Sequence, residues 1–165
     1  MVLVTILSVF TSCGNEKKSK RPDFSYPIEF RADIKFDGRD YKADVTIHDE
    51  ANIKIAFLFP DNLKDATLEM KNGECFLNVF GITLPITDGG YSSDNGLLLL
   101  RHLFSFSASD FTDGEVVKIG GVRYSVDNYK TDGGKISAYY SSNTKMPDKI
   151  SASLYGHEIE IIIVK

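Results

Sequence analysis

The 165-residue chain holds 19 Lys and Arg against 23 Asp and Glu, a formal charge of −4, with 42% hydrophobic and 25% charged residues. This composition excludes a disordered chain and a polytopic membrane protein, and describes one domain with room for a sizeable core. Two cysteines cannot build a disulfide framework, and the acidic balance gives no general attraction to nucleic acid.

The chain opens on an uninterrupted apolar run, Val2 to Phe10, followed by Thr11, Ser12 and Cys13. The run is less than half of the ~20 residues that cross a bilayer as a helix, and it fits the core of an export signal. Phe10-Thr11-Ser12-Cys13 resembles the lipobox of bacterial lipoproteins. The resemblance implies that residues 1–12 are a cleaved signal segment. Cys13 would then be lipidated, anchoring the protein to the cell membrane on its extracytoplasmic face. Phe10 stands where that family usually has Leu, and no Lys or Arg precedes the run. A buried strand or simple signal with an incidental Cys13 is the alternative.

Residues 13–26 read as the lipidated Cys and a basic tether. Lys17, Lys18, Lys20 and Arg21 oppose only Glu16 and Asp23, a balance of +2, whereas the body from Pro27 carries 15 basic against 21 acidic residues, or −6. A basic segment beside a lipid anchor is drawn to anionic headgroups by about 1 kcal/mol per charge. The plain alternative is a solvated linker.

From Pro27 the pattern has period two. Ile28, Phe30, Ala32, Ile34 and Phe36 alternate with charged residues up to Asp37-Gly38. Tyr41, Ala43, Val45 and Ile47 return in phase, which predicts a hairpin. Further strands are predicted at Ile53–Phe59, Ala66–Met70, Glu74–Phe80 and Ile82–Ile86. After the middle of the chain they resume at Val116–Ile119, Val122–Asn128, Lys135–Ser141, Ile150–Tyr155 and Glu158–Val164. Asn72-Gly73, Gly81, Asp113-Gly114, Gly120-Gly121, Asp132-Gly133-Gly134 and Gly156 mark the turns. The exception is Ser92–Ser107, where Leu97, Leu98, Leu99, Leu100, Leu103 and Phe104 predict one buried helix.

The predicted fold over 27–165 is therefore mainly β with one central helix, a single antiparallel domain. A sheet of roughly ten strands is too wide to stay flat, so it curls into a half-open barrel around the leucine-rich helix. The strand order, the pause at Phe59-Pro60-Asp61-Asn62-Leu63 and the mid-chain helix resemble the lipoprotein-localisation factors, the LolA/LolB superfamily, and related lipoproteins of Gram-positive bacteria. That resemblance implies a half-barrel whose apolar cavity holds acyl chains.

The residues themselves point to no catalytic or metal chemistry. His48, His102 and His157 have no ligand spacing, no nucleophile elbow occurs, and the glycines lack phosphate-loop or dinucleotide spacing. Cys75 reads as a buried core thiol. No enzyme, cofactor or metal is expected. If a cavity exists, Leu97, Leu100 and Phe104 share one helix face and would line it, with Phe57 and Phe59 placed opposite. Two functions stay open. One is a lipid-anchored extracytoplasmic binding protein for a lipid or other apolar ligand. The other is an anchored envelope module with a filled core that binds a partner protein.

Overall fold

The computed structural model describes residues 27–49, 51–86, 99, 100, 103, 110–141 and 146–164. The signal segment, Phe10, Thr11, Ser12, Cys13 and the tether lie outside them. Eleven strands form a single antiparallel sheet: β1 (Ile28–Phe36), β2 (Arg39–Asp49), β3 (Asn52–Phe59), β4 (Thr67–Lys71), β5 (Glu74–Val79), β6 (Ile82–Ile86), β7 (Phe111–Ile119), β8 (Val122–Thr131), β9 (Gly134–Tyr140), β10 (Lys149–Leu154) and β11 (His157–Val164). Their spatial order is β6-β5-β4-β3-β2-β1-β11-β10-β9-β8-β7. Two meanders thus meet at the pairing of the first strand with the last, where Ala32, Ile34 and Phe36 lie opposite Ile163, Ile161 and Ile159. The sheet is curled and unclosed, with β6 and β7 as its edge strands among the described residues.

Turn chemistry explains why sequential strands pair. Five hairpins close on two residues that both have positive φ: Asp37-Gly38, Asn72-Gly73, Phe80-Gly81, Gly120-Gly121 and Tyr155-Gly156. This turn matches the right-handed twist of the strands it joins and favours Asn, Asp or Gly at its first position. Phe80 and Tyr155 break that preference. Tyr155 is explained locally, because its ring lies where a side chain on Gly133 would have to go. Phe80 is not, since its side chain stands 84% exposed.

Period-two alternation then gives the sheet one apolar face. Ala32, Ile34, Ala43, Val45, Ile47, Ile53, Ile55 and Phe57 share a buried cluster with Ile136, Ala138, Ile150, Ile159 and Ile161 from the other meander. Residues 87–109 lie in the connection between the two free edges. Three of them are described, and Leu99, Leu100 and Leu103 belong to that same cluster. The remainder of the helix expected over 92–107 lies outside the described residues. The central helix is therefore not shown, and the fold stands as an almost wholly antiparallel β structure.

Two local expectations are corrected. Asp113-Gly114 is not a turn but part of β7, which starts at Phe111 and carries an irregular register between Phe111 and Asp113. A Cβ on Gly114 would sit 3.4 Å from the Asp127 carboxylate of the neighbouring strand, an ordinary van der Waals contact, so this glycine marks neither a turn nor a position that only glycine fits. At the end of β3 a bulge lets Phe57 pair with Ala43 but Phe59 with Lys42, two residues against one. That extra residue turns Phe59 onto the opposite face from Phe57.

Candidate functional site

The inner face is sealed in the middle of the sheet and open at its edges. Ile136, Ile150 and Ile161 are completely buried. Moving outward along the same face, Leu68 pairs with Leu77, Leu77 with Leu84, and Val79 with Ile82. Burial fades along this path until Ile82 is 62% and Leu84 51% exposed on edge strand β6. The other edge is more mixed: on β7 Phe111 is half-buried opposite buried Tyr129, whereas Val116, 51% exposed, stands between Gly114 and Lys118 on the inner face. Val116 pairs with Ser125, two rungs from the Gly114–Asp127 pair, and so shares the inner face. Among the described residues, β6 thus presents Ile82 and Leu84 at its edge of the curled sheet, and β7 presents Val116.

The residues predicted to line a cavity divide among several places. Phe57 is buried in the core cluster, its ring 6.3 Å from that of Tyr41 in edge-on contact. Leu100 is buried in the same cluster. Leu97 and Phe104 lie outside the described residues. Phe59, turned over by the bulge, is 44% exposed on the outer face. There it walls a groove of about 390 Å³ with Ile162, among Asp33, Lys35, Asp40, Lys42 and Glu160. The charged members are partly neutralised, Lys42 lying 3.8 Å from Asp33 and Lys149 2.6 Å from Glu160.

Ile82, Leu84 and Val116 are site candidates that sequence reasoning did not single out. Their alternation was visible, but their exposure follows from edge positions in a long-range sheet order. A buried polar group was also missed. Asp127 lies on the inner face opposite Ala138 and is 7% exposed. It neighbours buried Tyr129 and Tyr140. Burial above all, with Tyr129 and the Asp127 charge adding to it, pushes the Tyr140 phenol far above its ordinary value, so this hydroxyl stays neutral. The phase of Asp127 on β8, with Arg123, Ser125 and Thr131 around Tyr129, reads as polar, so the sequence carried no signal of its burial.

A second polar cluster fastens the middle of the sheet at the end that carries Asp37-Gly38. Asp37 Oδ2 and His157 Nδ1 share a hydrogen bond of 2.6 Å, and Asp37 Oδ1 accepts the Glu158 backbone N–H at 2.9 Å. The His157 bond first, then the backbone donor, holds the Asp37 carboxyl below its ordinary value of 3.8. The His157 ring also lies 5.2 Å from Phe36. Among the described residues no group of three His, Cys, Asp or Glu could hold a metal ion, and no helix is long and apolar enough to cross a membrane.

No family model and no curated protein matches the chain. Solved structures do resemble it. An uncharacterized conserved protein from Thermus thermophilus is similar with a TM-score of 0.52 at 13% identity, over 85% of this chain and 77% of that one. A LolA superfamily protein from Nitrosomonas europaea follows at 0.49 and 11%, over 88% and 89%. The lipoprotein LppX of Mycobacterium tuberculosis gives 0.46 and 9%, over 84% and 86%. The first likeness shows a shared fold and nothing about activity. The other two fall below a TM-score of 0.5.

Proposed function

We propose that the chain is a binding protein of the cell envelope that holds a lipid or other apolar ligand against the inner face of its sheet. One observation carries this reading: the face that is sealed in the middle stays open and apolar at Ile82, Leu84 and Val116, on both lips of the gap. Apolar side chains left in water along these edges cost free energy that an apolar occupant recovers, at ~25 cal/mol per Å² covered. Phe57 and Leu100 form the floor beneath that gap, with Leu97 and Phe104 proposed beside them. The site works by burial and needs no reacting group.

The chain would be tethered to the outer side of the membrane through lipidated Cys13, cut after the Phe10-Thr11-Ser12 lipobox. Cys13→Ala is expected to release the protein from membranes; continued retention would contradict the anchor. The ligand is tested by native mass spectrometry of the full chain purified from membranes, followed by organic extraction. A stoichiometric apolar molecule is expected, and Leu84→Asp should deplete it. A chain that stays ligand-free after incubation with membrane extract would overturn the reading in favour of a partner-protein module.

A further inference from the structure

The β7–β8 hairpin outruns the rest of the sheet. Ser125, opposite Tyr140, is the first β8 residue that pairs with β9, so the rungs joining Val117–Ile119 to Val122–Tyr124 project beyond the neighbouring strand. The projection ends in Gly120-Gly121, at φ +55 and +86. Strand alternation splits its side chains between two faces. Ile119 and Val122 pair on the outer side, 47% and 46% exposed. Lys118 and Arg123 pair on the inner side, both exposed.

Two like charges directly opposite each other in a ladder repel. No acidic residue stands between Glu115 and Asp127 to relieve them, and neither cation forms an ion pair with a described residue. This tip also lies at the end of the sheet where β1 begins, because Val122, Tyr140, Lys149, Val164 and Ile28 all mark that end of their strands. The basic segment 14–26 joins there, whereas the body as a whole is acidic.

We propose that this hairpin tip docks on an anionic lipid bilayer, Ile119 and Val122 entering the boundary between headgroups and acyl chains while Lys118 and Arg123 bind lipid phosphates. Apolar and basic groups on opposite sides of a narrow projection suit an interface between oil and anionic water. Four side chains on a two-stranded tip are far too little surface for a stable protein interface, which needs ~800 Å² per partner. The docking requires neither the inner-face ligand nor the lipid on Cys13. With the tether joining at the same end, both would meet one membrane and hold the acidic body away from it.

The chain has no tryptophan, so Val122→Trp places a single indole at the tip. With full-length protein and mixed phosphatidylcholine–phosphatidylglycerol vesicles, its emission should shift to the blue and be quenched by brominated acyl chains. Adding Lys118→Gln and Arg123→Gln should weaken that response about 25-fold, the worth of two basic residues at an anionic surface. Ile119→Trp serves as an independent reporter, and Phe80→Trp, at the far end of the sheet, should remain in water. An unquenched tip, equal quenching in pure phosphatidylcholine, or quenching of the Phe80→Trp indole instead would overturn the proposal.

Discussion

Ile161 and Leu84 point to the same side of one sheet, yet the first is completely buried and the second half exposed. Alternation assigns a side chain to a face, but position across the sheet decides whether that face is covered. Strands β1 and β11 lie in the centre, flanked on both sides, and carry the core cluster. Among the described residues β6 and β7 each have one neighbouring strand, and Ile82, Leu84 and Val116 on their inner side meet water. Stability therefore resides in the middle of the molecule, while the surface available for binding lies at its margins.

The contrast can be broken by mutation. Ile161→Ala should cost about 2–5 kcal/mol in denaturant unfolding, because the surrounding side chains can only partly close the cavity. Leu84→Ala should cost no more than about 0.5 kcal/mol, as for most exposed sites. Equal losses would mean that the margin is packed like the centre. At the same margin, Phe80→Asn should raise stability by about 0.5–1 kcal/mol, since Asn tolerates the φ of +52 at the first position of that turn. A loss of stability would show that the exposed ring makes a contact the native fold uses.

The smallest effect concerns pH and appears as a slope. Asp37 is held below 3.8 chiefly by its hydrogen bond with His157, Asp49 below 3.8 chiefly by the Asn52 side chain, and Glu69 below 4.5 chiefly by Lys71. A depressed carboxylate contributes stability that is fully present above its unfolded value and lost as pH falls through the folded one. Unfolding midpoints should hardly change down to about pH 5 and then decline. Asp37→Asn should flatten the decline, Asp49→Asn likewise, and an unchanged slope in both would remove these groups from the acid response.

Much of this architecture is legible in the sequence, and the failures have physical causes. Unbroken alternation around Asp37-Gly38 specifies the β1–β2 hairpin, and the structure pairs Ile28 with Ile47 and Ala32 with Ala43 in that phase. Predicted strands cover all eleven observed ones, although β7 is cut short because Gly114 reads as a turn. A glycine that simply continues a strand and one that permits a turn look identical in sequence. Phe59 fails for another reason: one extra residue in β3 reverses its side, and no composition signal marks a bulge. The pairing of β1 with β11 links the two ends of the domain, beyond the reach of local pattern. The margins, and with them Ile82, Leu84 and Val116, become visible only once that order is known.

The central claim is that the inner face, reached through the gap between β6 and β7, is where an apolar ligand lies. Its most direct test is a methyl NMR spectrum of isoleucine-labelled protein with a spin-labelled fatty acid. The signals of Ile82 and Ile86, on the inner side of β6, should broaden first, while Ile162, on the outer face, keeps its intensity. Broadening of Ile162 with Ile82 unaffected, or uniform loss across both faces, would contradict the account.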